Sequence, residues 1–230
     1  MLIWGDHVEP PLRTRLLGHS YGIYYTVCIG LFRPTVRAPR EALPGDPILY
    51  YTPHSDLIPG VFAARAFRHF AWVNDNTLGG YAAALPALAS GLDVFRIGRG
   101  GRRTPYEQLR DFLKERTGPV GIFTDGGRRD GRVRTSLVAL AQDTGRAVAP
   151  LRIRADRAWE FQGQLVPRPL STVRVVRGTP IAASVLTAAG AEQARDMLQK
   201  SLDALDDAPT PTTVPGGRDT RGDQGAWDAS

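Results

Sequence analysis

Along most of this 230-residue chain, short apolar runs fit for buried strands alternate with stretches patterned for helices. The strand-like runs fall at 48–52, 70–73, 93–97, 120–124, 147–153 and 173–177. Helical runs lie between or after them, at 57–67, 80–89, 105–116, 135–142 and 192–205. Few architectures satisfy such an alternation, because strands this apolar need covering on both faces. It predicts an α/β fold, a mostly parallel β-sheet flanked by helices. Stretch 105–116 has the clearest boundary signals: Thr104 is placed to cap it, Pro105 opens the first turn and Glu107 completes a capping box. Tyr106, Leu109 and Leu113 share one of its faces, and Gly145 is placed to stop the next helix.

The segment ahead of the sheet is of another kind. Residues 21–32 are apolar and aromatic, flanked by Arg13, Arg15, Arg33 and Arg37, and fall short of the roughly 20 residues a spanning helix needs. Two placements fit: flat in a membrane interface with arginines on lipid phosphates, or packed on the domain as a buried or amphipathic helix. A signal peptide is not expected, since arginines and Pro34 follow the apolar run where a small-residue cleavage site would stand. From residue 208 onward Pro, Thr, Gly, Asp and Arg replace apolar residues, the composition of a disordered tail. The expected organisation is therefore an N-terminal helical, membrane-interfacial segment (1–40), an α/β domain (41–207) and a tail (208–230). The single cysteine, Cys28, excludes an internal disulfide framework, which makes the cytoplasm the expected compartment.

The run Ile48-Leu49-Tyr50-Tyr51-Thr52 ends in Pro53-His54-Ser55-Asp56, so an imidazole and a carboxylate stand at a strand end. In an open parallel sheet that edge is where ligands gather. His54 suits proton removal near neutral pH, and a carboxylate beside it would fix its tautomer and steady the imidazolium. Asp56 and Asp75 are both candidates for that carboxylate, according to how the loops fold. Two arginine-glycine loops follow other strands: Gly98-Arg99-Gly100-Gly101-Arg102-Arg103, and Asp125-Gly126-Gly127-Arg128-Arg129-Asp130-Gly131-Arg132. Glycines admit backbone N–H groups close to an anion, a helix start favours negative charge, and arginines add charge-assisted bonds. With His54 these loops would surround one crevice, which points to an anionic substrate that His54 deprotonates.

Several other chemistries lack their residues. There is no Gly-x-Ser-x-Gly elbow, no Walker loop, and no second histidine cluster at metal-ligand spacing, so neither a nucleophilic serine nor a metal is expected. The net charge is +6, and Lys114 and Lys200 are the only lysines, leaving arginine as the dominant cation. Its planar fork fits phosphate or carboxylate. No recognised module or aromatic stacking pattern accompanies the basic loops, so nucleic acid is not the expected partner.

The order of these motifs resembles the lysophospholipid acyltransferase superfamily (glycerol-phosphate acyltransferase-like), and within it a bacterial group built on a domain of unknown function, DUF374. The matching places are His54, Gly98-Arg99-Gly100-Gly101-Arg102, Thr124 to Arg132, Leu140-Ala141-Gln142-Asp143-Thr144-Gly145, Val148-Ala149-Pro150-Leu151, Arg157-Ala158-Trp159 and Arg177-Gly178-Thr179-Pro180-Ile181. The superfamily's His-x-x-x-x-Asp would need an aspartate at position 59, where this chain has Pro59. The resemblance implies acyl transfer from acyl-CoA or acyl carrier protein to a hydroxyl of a lysophospholipid or related lipid. It implies no cofactor beyond that thioester, and a location on the inner face of the cell membrane. His54 would then be the base, with Asp56 or Asp75 as its partner. Arg99, Gly100, Arg102 and Arg103 would hold the acceptor's phosphate, and Asp125, Gly126, Gly127 and Arg128 would line the donor or oxyanion side. A lipid- or phospholigand-binding protein without catalysis remains the alternative on the same fold.

Overall fold

The computed structural model describes residues 1–5, 9–38, 47–67, 70–75, 77–98, 101–124, 130–161 and 164–206. In chain order the elements are β1 (Leu2–Trp4), α1 (Leu12–Phe32), β2 (Thr35–Arg37), β3 (Leu49–Thr52), α2 (Leu57–Phe62), β4 (Ala71–Asp75), α3 (Leu78–Ala89), β5 (Asp93–Ile97), α4 (Pro105–Glu115), β6 (Val120–Phe123), α5 (Thr135–Thr144), β7 (Val148–Ala155), β8 (Ala158–Phe161), β9 (Gln164–Pro167), β10 (Thr172–Arg177), α6 (Ala183–Ala189) and α7 (Ala191–Asp203). Among the described residues eight strands form one sheet in the order β1-β5-β4-β6-β3-β7-β10-β2, and β8 and β9 form a separate antiparallel hairpin. From β1 to β7 every pairing is parallel, as the alternation of strand and helix predicts. Strand β10 is antiparallel to β7: the intervening chain makes the β8–β9 hairpin and returns without a crossover helix, so it arrives from the opposite direction.

Strand β3 shows why the fold needs two covering layers, for all four of its residues are buried. Leu49 and Tyr51 face a core shared with α4, α5, α6 and α7, built around Phe95, Phe112, Leu137, Val138, Leu186 and Leu198. Tyr50 faces the opposite core, where α1, α2 and α3 pack with Phe62, Phe67, Phe70, Trp72, Leu151 and Ile153. Gly121 on β6 is tied to this second core by contact: a Cβ there would come within 2.2 Å of the Trp72 ring.

Helix α4 begins as its sequence predicts, with both halves of the Thr104–Glu107 capping box in place. Its far end is closed differently. The buried Arg146 donates from Nε to the Leu113 carbonyl at 2.9 Å, from one terminal nitrogen to the Gly118 carbonyl at 3.0 Å, and from the other to the Arg116 carbonyl. One side chain thus takes up the Leu113 carbonyl, which the helix end leaves without an intrahelical partner, and two carbonyls of the chain just beyond it.

The helix expected over 57–67 is interrupted. Helix α2 ends at Phe62, and Ala64–Phe67 wind more tightly as a 3₁₀ turn. That turn sets Phe67 against Phe70 and Trp72, with ring centroids 5.3 and 6.2 Å apart. Residues 2–4 and 35–37, with too few positions to show a period, are the outermost strands at opposite edges of the sheet. The tail expected from residue 208 lies outside the described residues.

Helix α1 is longer than the apolar run that announced it. It docks on α3 through Gly18 and Gly22, where a Cβ would meet the Tyr81 and Leu85 Cβ atoms at 2.3 and 3.0 Å. Four of its large residues point outward: Leu16, Ile23, Val27 and Leu31 are 58, 57, 52 and 71% exposed. Among the described residues no helix is long and apolar enough to cross a membrane.

Candidate active site

Because β5, β4, β6 and β3 are adjacent and parallel, their C-terminal ends open on one edge of the sheet. His54 follows β3, Asp75 ends β4, and the two arginine-glycine loops follow β5 and β6. Topology therefore gathers the chemistry-bearing segments that the sequence separates. Arg99, Gly100, Asp125, Gly126, Gly127 and Arg128 lie outside the described residues. Arg102 and Arg103 are exposed, and Arg103 pairs with Asp111 of α4 at 3.2 Å.

His54 opens a 3₁₀ turn, His54–Asp56, that leads directly into α2. The side chain is half-buried, with Nδ1 inside and the ring against Phe123 of β6, centroids 5.0 Å apart. One face of the imidazole is thus held by β6 while the residue stands at the lip of the edge.

Asp56, two residues on, is only 3% exposed. Its carboxylate accepts four hydrogen bonds: from the Ser55 hydroxyl at 3.1 Å, the Thr52 hydroxyl at 3.3 Å, the Ile153 backbone N–H at 2.8 Å and Arg152 at 3.2 Å. Two carboxylate oxygens offer about four acceptor sites, so this set uses the capacity of the group. Burial pushes the Asp56 carboxyl above its ordinary value, against the opposing pull of Arg152, the Ile153 N–H and the two hydroxyls. Asp56 thereby fastens the His54 turn to β7. Arg152 extends the connection, because it also pairs at 2.7 Å with Asp206, which Arg154 holds as well.

Asp75 is engaged elsewhere. Its Oδ1 accepts from the Thr77 hydroxyl at 2.6 Å and the Thr77 backbone N–H at 3.2 Å. Thr77 in turn caps α3 by accepting from the Gly80 N–H. Strand β6 stands between β3 and β4, which separates the two strand ends by roughly 10 Å. Each aspartate thus has a holding role: Asp56 on the His54 turn, Asp75 on the start of α3.

Arg152 and Asp206 are absent from the sequence-derived site. A signal for them exists in the alternation of Leu151 and Ile153 with Arg152 and Arg154, which places two guanidiniums on one face of a largely buried strand. A cation so placed requires a carboxylate, though the sequence does not say which. Among the described residues no three His, Cys, Asp or Glu side chains gather where a metal could be held.

No family model matches the chain, and no curated protein matches its sequence. Among solved structures it is similar to the crystal structure of the 1-acyl-sn-glycerophosphate (LPA) acyltransferase PlsC from Thermotoga maritima. The match has a TM-score of 0.53 at 15% sequence identity and covers 84% of this chain and 80% of that one. At that identity the likeness establishes a shared fold, in agreement with the α/β architecture predicted from sequence.

Proposed function

We propose that this chain transfers a fatty acyl group from acyl-CoA or acyl carrier protein to a hydroxyl of a lysophospholipid or related lipid. One observation carries the reading: His54 stands half-buried on the strand edge from which both arginine-glycine loops emerge. The shared fold with a 1-acyl-sn-glycerophosphate acyltransferase supports it. In this reading the imidazole takes the acceptor's hydroxyl proton as the oxygen attacks the thioester carbonyl carbon. The tetrahedral intermediate then collapses, the C–S bond breaks, and the thiol leaves with the proton that the imidazolium returns.

Asp56 would serve this chemistry by fixing the turn that carries His54. Arg102 and Arg103, with Arg99 and Gly100, would hold the acceptor's phosphate. Residues 125–128 would face the donor and the developing oxyanion. The thioester supplies the reactive carbonyl, so no further cofactor enters. The outward apolar face of α1 would hold the enzyme on the cytoplasmic surface of the membrane, where such an acceptor resides.

The test is lipid mass spectrometry after incubation of the protein, and of its His54→Ala variant, with long-chain acyl donors and a panel of lysophospholipids. Diacyl product is expected from the wild type, with a loss of about 10²-fold or more in the variant. Equal product from both would remove His54 from the mechanism. The full engagement of Asp56 favours a second reading, a lipid-binding protein that has given up the dyad. That reading predicts lysophospholipid binding, indifferent to His54, with no product from either protein.

A further inference from the structure

The C-terminal end of α1 and the turn that follows the β8–β9 hairpin meet in one corner of the molecule. The Leu170 N–H donates to the Phe32 carbonyl at 2.8 Å, and the Phe32 and Trp159 rings meet edge to face with centroids 6.1 Å apart. The corner lies on the same edge of the sheet as His54, because it joins the C-terminal end of β7 to the start of β10.

Its backbone carries an unusual cost. Arg33 and Leu170 are the only non-glycine residues with positive φ among the described residues, at 45° and 58°, and both are here. The Ser171 N–H closes the turn on the Arg168 carbonyl at 3.1 Å, with Pro169 second and Leu170 third. Glycine or asparagine is the usual third residue when φ is positive. Leucine is strained there, yet its side chain is 71% exposed, so burial in this fold does not compensate for the strain. Backbone strain of this kind tends to mark places that do something.

The surroundings indicate what Leu170 meets. Leu31, one residue before Phe32, and Trp159, whose ring meets that of Phe32, are 71 and 45% exposed. Arg33 is exposed, Arg157 donates to the Leu170 carbonyl at 3.0 Å, and the Arg168 guanidinium stands 5.8 Å from the Trp159 ring centre. Apolar tips ringed by arginines, continuous with the outward face of α1, match the boundary between acyl chains and anionic headgroups.

We infer that this corner is a second membrane contact, in which Leu170, Leu31 and Trp159 enter the surface of an anionic phospholipid bilayer while Arg33, Arg157 and Arg168 pair with lipid phosphates. The inference rests on the reading of α1 as a helix that lies on the bilayer. It would place the His54 edge against the membrane at two points, α1 and the turn, and so fix the tilt of the enzyme.

Flotation with phosphatidylcholine vesicles, with and without phosphatidylglycerol, tests it in the absence of any acyl donor or acceptor, so failure of the acyl-transfer reading would leave this result untouched. Leu170→Asn is the informative variant, because asparagine suits the turn. Its melting temperature should stay level or rise while partition onto the anionic vesicles falls about tenfold. Arg168→Gln should reduce the preference for anionic over neutral vesicles. Unchanged partition of Leu170→Asn would overturn the inference. So would a wild type that ignores vesicles but sediments as a dimer that Leu170→Asn dissolves, since the corner would then be covered by a second copy of the chain.

Discussion

The two helical layers that cover the sheet are built on opposite rules. Helix α7 buries Ala194, Leu198 and Leu202 and turns Glu192, Asp196, Lys200 and Asp203 to the outside, and α4 likewise buries Leu109, Phe112 and Leu113 beneath Lys114 and Glu115. Helix α1, on the other face, puts Gly18, Gly22 and Cys28 inward and Leu16, Ile23, Val27 and Leu31 outward. The first layer is finished by water, while the second leaves a contiguous apolar surface of the sort that marks an interaction site. On the proposed reading of α1, stability and attachment are divided between the faces, and mutations should separate them.

The largest effect belongs to the layer finished by water. Leu198→Ala, at the centre of the buried stripe of α7, should lower the unfolding free energy by about 2–5 kcal/mol in urea denaturation and leave vesicle flotation unchanged. A loss of flotation in that variant would show that the two faces are not independent.

A smaller effect is expected where the layers are tied together. Arg152 links Asp56, beside α2, to Asp206, beyond the end of α7. Below the ordinary carboxyl value of 3.8, Asp56 is protonated in folded and unfolded chains alike. As the pH rises, the unfolded chain ionises first, so the stability that burial of the neutral group contributes is lost on the way through the higher folded value. The stability of the wild type relative to Asp56→Asn should therefore fall as the pH is raised from 3.8. A difference that grew instead would mean that the pairing with Arg152 outweighs burial.

The smallest effect on folding should come from the outward face of α1. Ile23→Asn and Val27→Asn, each at a site more than half exposed, should change stability by no more than about 0.5 kcal/mol. The same variants should weaken flotation on phospholipid vesicles. Destabilisation on the scale of Leu198→Ala would instead reveal a buried role for that face.

These contrasts also explain what the sequence could tell. The capping box at Thr104 and the stop at Gly145 were readable because their partners lie within a few residues. His54 was conspicuous because a buried run ends on it, and a parallel sheet brings such endings to one edge. The holding of Asp56 was not readable, since Arg152 and Ile153 lie about a hundred residues further on and only the pairing of β3 with β7 makes them neighbours. Asp75 was equally ambiguous, because a carboxylate that holds a helix's capping residue and one that steadies a histidine have the same spelling. For α1 the difficulty was one of pattern: with apolar residues on both sides, the periodicity does not say which side the protein covers, and Gly18 and Gly22 decide it only once Tyr81 and Leu85 are in place.

The closure of α4 by Arg146 has a consequence in time. The last turn of that helix is completed by a residue some thirty positions later, beyond all of α5. During synthesis, a nascent chain that has not yet reached Arg146 carries α4 with an open end. The carbonyls of Leu113 in α4 and of Arg116 and Gly118 just beyond it stay in water until the arginine emerges and folds back. Helix α4, α5 and the start of β7 therefore mature together, and a chain cut just short of residue 146 would carry α4 with its first turn capped and its last turn fraying.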